Sequence, residues 1–280
     1  GQKYFVSYET IRRMCDRYGI PKPKSSYEQS IGTFIEEMGF KVVYGNRKLI
    51  GFEIDILVED TDLAIEFGGL YWHTEDKHAD KSDYHLAKTI ACEENGKKLL
   101  TIFEDEWVSK NEICKARIRH SLGKSVKGPS ARQCTVRHIS HKEAEYFLEM
   151  HHIQGAGQPA SVRLGAFHNG ELVAVMTFGA ARYDTEENTI ELLRFATDGR
   201  SMAGIASKLF STFTSENDVK RIVSYADRRW SDGSVYPRMG FVASGASVPS
   251  YGYFKSNGEL SRVHRVSMQK HKIKHLVEDG

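Results

Sequence analysis

Residues 52–107 read FEIDILVEDTDLAIEFGGLYWHTEDKHADKSDYHLAKTIACEENGKKLLTIFEDEW, and this stretch decides how the first half of the chain folds. Apolar residues alternate with acids in FEIDILV, a polar turn follows at Glu59-Asp60-Thr61-Asp62, and a second apolar run, LAIEF, carries one carboxylate, Glu66. Two short strands around a polar turn make a hairpin. Asp55 and Glu66 then fall on neighbouring strands, where cross-strand side chains approach within a few ångströms. Two carboxylates in a half-buried hairpin are costly unless a proton or a cation sits between them. A divalent ion that takes one or two carboxylates plus waters and phosphate oxygens, Mg²⁺ or Mn²⁺, suits such a pair.

Working outward, Gly68-Gly69-Leu70-Tyr71-Trp72-His73 puts two glycines and two aromatics ahead of His73, the residue type best suited to proton transfer near neutral pH. Residues 83–94 have helical character, with His85, Lys88 and Cys92 spaced at i, i+3 and i+7, so that one face carries His85 and Lys88. A third apolar strand, KKLLTIF, ends at Glu104-Asp105-Glu106-Trp107. The order is strand, strand, helix, strand. Upstream, Ser25 and Glu28 form a capping-box pattern at the start of a helix whose apolar face is Ile31, Phe34, Ile35 and Met38. That gives Glu28 a capping role to set against any role in a site.

On these motifs, residues 25–120 resemble the very-short-patch-repair type of endonuclease, a branch of the PD-(D/E)xK nucleases. They look closest to phage and intron-associated homing endonucleases built on that core. The resemblance implies a metal-dependent enzyme that hydrolyses phosphodiester bonds at a specific site in double-stranded DNA, by nicking or double-strand cutting. By it Asp55 is the metal-binding aspartate, assisted by Glu66. His73 is the general base or acid, His85 a second polar catalytic residue at the start of the helix, and Glu28 the glutamate of the preceding helix. The superfamily lysine two residues after the hairpin glutamate is absent, because that position is Gly68; Lys88 is the candidate to supply the charge from the helix.

The second half has a different texture. It reads as a strand at 134–139, a helix opened by Ser140 with Glu143 at the box position, and a glycine-rich loop at 154–158. A hairpin turning at His168-Asn169-Gly170, a strand at 190–196, a helix at 205–214 and a strand at 221–226 follow, and then a short helix running into a strand around Pro237-Arg238-Met239-Gly240-Phe241. This order resembles the GNAT type of acetyltransferase, in which a glycine-containing turn before a helix holds a pyrophosphate; here that turn is Arg200-Ser201-Met202-Ala203-Gly204. The resemblance implies, as the alternative to a nuclease, an acyl-transferase or DNA-base-modifying enzyme to which the first half delivers DNA. Tyr225 and Asp227 are the polar residues to inspect. A module that kept this fold for DNA binding alone would use Arg182, Arg194, Arg228, Arg229 and Trp230, the last for stacking on a base.

The expected fold class is therefore α/β: a restriction-endonuclease-like core with a mixed sheet, followed by a GNAT-like α+β domain. The boundaries are a helical lead-in at 1–24, a nuclease domain at 25–122, a basic linker at 123–132 and the second domain with its basic tail at 133–280. The net charge is only +2, but Lys115, Arg117, Arg119, Lys124, Lys127 and Arg132 follow one another without an acid, a run suited to phosphate contacts. The apolar runs are far shorter than a membrane span, and the four cysteines make no CxxC pair. A reducing cytoplasm is the expected compartment, that of the host cell if the chain is phage-encoded. Cutting both strands would need two sites, as in a homodimer, or sequential nicking.

Overall fold

A computed structural model describes residues 17, 25–69, 84–184, 186–246, 252–254 and 262–264. The fold is mixed α/β with two mixed sheets. Helix α1 (Ser26–Glu37) opens on Ser25, whose backbone is extended and whose hydroxyl accepts the Glu28 N–H at 3.1 Å. Its buried residues Ile31 and Ile35 lie against strands β1 (Val42–Asn46), β2 (Ile54–Val58), β3 (Leu63–Gly68) and β4 (Lys98–Phe103), hydrogen-bonded in that order. β1, β2 and β3 run antiparallel, and β4 is parallel to β3.

The parallel step needs a crossover, and helix α2 (Tyr84–Glu94) lies within it. Ile65 and Phe67 join the core under α1, while Ala64 joins a smaller cluster with Cys92 of α2. β3 is covered on both faces, so every one of its residues is buried, Glu66 included. After β4 the chain forms two helices, α3 (Glu104–Ser109) and α4 (Asn111–Ser121), broken at Lys110 (φ −126°, ψ 38°).

The second sheet orders β5 (Thr135–His138), β6 (Val162–His168), β7 (Glu171–Ala180), β8 (Thr189–Thr197) and β9 (Arg221–Val223). The β6–β7 hairpin turns on Asn169 and Gly170, both at positive φ (50° and 84°), the conformation a tight two-residue hairpin needs. Helix α5 (His141–His151) packs Phe147 and Leu148 on one face of this sheet, and α6 (Ile205–Glu216) packs Leu209 and Phe213 on the other. A bulge interrupts β8: Arg194 pairs with Thr177 and Leu192 with Phe178, which leaves Leu193 without a partner. β8 and β9 are parallel and pair only from Thr189/Arg221 to Glu191/Val223. β9 stops three residues short of the strand expected over 221–226. The strand expected beyond Met239 is not formed either: Pro237–Met239 is a single 3-10 turn, and 241–246 are irregular.

The halves are joined by packing. Arg229 lies along the outer edge of β4: Thr101 N–H donates to the Arg229 carbonyl at 3.0 Å, and Arg229 Nη1 donates back to the Thr101 carbonyl at 3.1 Å. Trp230 packs against the α1-side core, which also contains Ile153. Within residues 123–132 the chain is fastened to the turn before α6. Lys127 bridges to Ser201, Ser201 N–H donates to the Val126 carbonyl at 2.8 Å, and Gly128 N–H donates to the Ser201 carbonyl at 2.9 Å. Among the described residues no helix is long and apolar enough to cross a membrane. Strands β10 (Gly252–Phe254) and β11 (Arg262–His264) form a separate antiparallel pair.

Candidate functional site

The register of the β2–β3 hairpin pairs Ile56 with Ile65 and Leu57 with Ala64; continued by one step it sets Asp55 opposite Glu66. The two carboxyl groups are close enough for each to act on the other's ionisation. Asp55 Oδ2 also accepts the Phe67 N–H at 2.8 Å, replacing a ladder bond where the hairpin opens. Lys88, fully buried on α2, reaches down to Glu66 Oε2 and forms an ion pair with it. Burial, and next the Asp55 charge, push the Glu66 carboxyl up to about 8. Burial likewise raises Asp55, against the opposing pull of the Phe67 N–H and of Lys88. Glu28 keeps its capping bond, with Ser25 Oγ donating to Oε1 at 2.8 Å. Its carboxyl is raised, first by burial and also by the charges of Asp55 and Glu53, so it belongs to the same acidic neighbourhood.

Three of the expected site residues, Asp55, Glu66 and Lys88, are thus brought together. His85 is not buried with them: it is exposed at the start of α2, edge-on to Tyr84. His73 lies outside the described residues. Among the described residues, no group of three or more His, Cys, Asp and Glu side chains gathers as a metal centre would.

Gly68 accounts for the lysine missing from that position. A Cβ there would stand 2.6 Å from the Phe103 ring of the neighbouring strand, so no side chain is accommodated. Gly68→Ala should cost about 1–3 kcal/mol in urea denaturation by overpacking. The loss should shrink in a Phe103→Ala background; an equal loss there would exclude the steric explanation.

The residues expected to contact DNA divide into two groups. Arg229 is turned inward, its Nη1 and Nη2 bound to Glu106 at 2.9 and 2.7 Å. Arg228 pairs with Glu93 at 2.7 Å, and Trp230 is packed into the core. Arg229 and Trp230 are thus engaged inside the protein, whereas Arg228 stays exposed in a surface ion pair. Arg117 also points inward, its buried Nε without a hydrogen-bond partner, and burial lowers its affinity for a proton. Lys115 and Arg119 sit over the Phe34 ring and Lys124 over Phe40, while Lys124 and Lys127 are exposed.

Where β8 and β9 part, a second cluster gathers; sequence reasoning named its Arg182, Tyr225 and Asp227 but missed Ser224, Tyr236 and Glu191. Ser224, the residue after β9, donates its hydroxyl to the Leu192 carbonyl at 3.0 Å and lies 3.1 Å from the Tyr236 hydroxyl. Beside it the buried Glu191 is clamped by Arg182, whose Nε donates to Oε1 at 3.0 Å. Arg182 lies beneath an edge-to-face pair of exposed tyrosines, Tyr183 and Tyr225. Asp227 accepts from Gln154 Nε2 at 3.1 Å and pairs with Arg229 at 3.2 Å. The turn into α6 ends at Gly204 in the left-handed region (φ 77°). The N–H groups of Ala206 and Ser207, in the first turn of α6, have no acceptor within the helix.

No family model matches the chain. No curated protein matches it. Solved structures do: an aminoglycoside acetyltransferase from an uncultured soil metagenomic sample, in complex with sisomicin, matches with 15% identity and a TM-score of 0.34, over 44% of this chain and 98% of that one. The ribosomal-protein-alanine N-acetyltransferase from Brucella melitensis biovar Abortus 2308 matches with 19% identity and a TM-score of 0.32, over 41% of this chain and 96% of that one. These neighbours are acetyltransferases and not nucleases. The expectation of a very-short-patch-repair-like, Mg-dependent homing endonuclease is corrected on that finding, and the acyl-transfer alternative is carried forward.

Proposed function

We propose that this chain transfers an acyl group from a coenzyme A thioester to an amine, using a GNAT-like second half. The observation that carries the reading is the parting of β8 and β9. Two parallel strands pair for three residues and then separate at a bulge, with the Ser224 and Tyr236 hydroxyls in the opening. Such a gap leaves backbone groups of both strands open to an extended ligand. The residues also suit the coenzyme's phosphates: the turn 201–204 is followed by the open N–H groups at the start of α6. The coenzyme supplies an activated acyl carbon. The amine nitrogen forms a bond to that carbon as the C–S bond breaks, one proton leaves the nitrogen for solvent, and one is returned to the sulfur. Tyr236, positioned by Ser224, is the hydroxyl we assign to that return.

The first half, in this reading, binds double-stranded DNA through Lys115, Arg119, Lys124 and Lys127, and holds Mg²⁺ or Mn²⁺ at Asp55 and Glu66. Two hard oxygen ligands fit such an ion, and Glu66 must release its proton and loosen its grip on Lys88 for the ion to enter.

Acetyl-CoA at 100 times its dissociation constant should stabilise the protein by about 2.7 kcal/mol, visible as a rise in melting temperature. Supercoiled plasmid incubated with the protein and Mg²⁺ should stay supercoiled. No response to acetyl-CoA, together with nicked or linear plasmid, would overturn the proposal.

A further inference from the structure

Arg194 follows the bulge residue Leu193 on β8, at the point where the strand bends away from β9. Its guanidinium is half-buried, and its hydrogen bonds run to carbonyls: Nη1 donates to Leu193 at 2.7 Å and Nε to Gly155 at 3.2 Å. Among the described residues, no carboxylate forms an ion pair with it. The nearby acids are committed elsewhere. Glu191 is held by Arg182, Glu149 accepts the Ala156 N–H at 2.9 Å, and Asp227 is shared between Gln154 and Arg229.

The charges of Glu191 and Glu149 reach Arg194, but neither carboxylate bonds to it. Lys110 donates to the carbonyls of His152 and Ile153 at 3.3 and 2.9 Å. His152, whose Nδ1 accepts the Gln154 N–H at 3.1 Å, is pushed down to about 3 by burial and by the charges of Arg194 and Lys110, so it is neutral. Burial and the Arg182 charge together lower the proton affinity of Arg194 itself. Over its Nη2 edge lies Gly157 (φ 73°), where a Cβ would stand 2.6 Å from Nη2; the glycine keeps that edge clear of a side chain. A half-buried cation hydrogen-bonded only to carbonyls, through Nη1 and Nε, is costly, and an anion at Nη2 removes the cost.

We infer that the Nη2 edge of Arg194 binds a carboxylate on the acyl acceptor, which makes the acceptor a small amine that also carries a carboxylate. The inference rests on the acyl-transfer reading for the amine and on Arg194 alone for the carboxylate. A single guanidinium edge matches a single negative charge. Lys110 and Arg182 are already occupied, so a phosphate dianion would leave charge uncompensated.

The test compares β-alanine, β-alaninamide and phosphoethanolamine as acceptors with acetyl-CoA. Wild-type protein should prefer β-alanine over the amide by roughly 10–100-fold in kcat/KM, the scale of one charge-assisted hydrogen-bond set. Arg194→Gln should bring that ratio close to one, and Arg194→Lys should retain part of it. An arginine that only ties the bulge to the 155–157 loop would lower stability in both variants and leave the ratio unchanged, which overturns the inference. A preference for phosphoethanolamine, or for none of the three, also overturns it. Calorimetric titration of β-alanine without coenzyme separates the two readings. Binding that Arg194→Gln abolishes, with no acetyl transfer in any mixture, keeps the carboxylate site and removes the transferase. Absence of binding removes the site.

Discussion

Replacing Glu106 by Ala should destabilise the protein by about 1.5–3 kcal/mol, because two inward-turned arginines lose the carboxylate they share and keep only Asp227 and Asp105. Glu106 is buried at the start of α3, where Oε2 also caps the Phe103 N–H at 3.1 Å. Arg229 binds it from the segment after β9, and Arg262 Nη2 binds it at 2.6 Å from β11. Both guanidinium groups stack on the Phe103 ring, Arg262 at 3.9 Å from its centre. Burial alone would raise the Glu106 carboxyl, but Arg229 and Arg262 outweigh it and hold the group below its ordinary range. Its contribution is therefore present above the unfolded value near 4.5 and lost as pH falls through the lower folded value. Urea denaturation at pH 7 should show the full loss in Glu106→Ala, with both halves unfolding earlier. The gap from wild type should close in acid. A loss below 1 kcal/mol would mean that the junction is held by Trp230 and the β4 edge alone.

The Glu66 carboxyl gives the opposite pH dependence. Its folded value, about 8, lies above the ordinary 4.5, so the folded state binds the proton more tightly. That contribution is complete below pH 4.5 and disappears as pH rises through 8, a span worth a few kcal/mol, or on the order of 5–10 °C in Tm. Metal-free wild-type protein should lose this stability between pH 5 and 8.5, and Glu66→Gln should show a flatter profile. Saturating Mg²⁺ should reverse the wild-type slope, because the ion binds the deprotonated pair. A slope identical in wild type and Glu66→Gln would place the titration elsewhere.

The Asp55–Glu66 pairing was legible because strand alternation fixes which side chains share a face, and one turn fixes the register. Lys88 was legible as a helix position three residues beyond His85, but its burial was not: that depends on how α2 sits over β3. Glu106 was read as part of an acidic motif. Its partners Arg229 and Arg262 are 123 and 156 residues away, and no local pattern reports such a contact. The same distance hid the inward turn of Arg229 and the packing of Trp230, which look like a basic surface run in sequence. β9 was drawn too long because its apolar pattern continues to Ala226, whereas the bulge at Leu193 and the Ser224 hydroxyl end the ladder at Val223. The glycine-containing turn before α6 was visible, but the 124–131 segment fastened across it was not, since those residues are too polar to announce a packing role.

The reading of the chain as an acyl-transferase depends on chemistry in the gap between β8 and β9. Free thiol released from acetyl-CoA, followed with a thiol reagent in the presence of β-alanine, measures that chemistry directly. The account predicts acceptor-dependent release that Tyr236→Phe slows by roughly 10²-fold or more, as expected on removing a general acid. Release no faster than the hydrolysis of acetyl-CoA in buffer, with every acceptor tried, would contradict it.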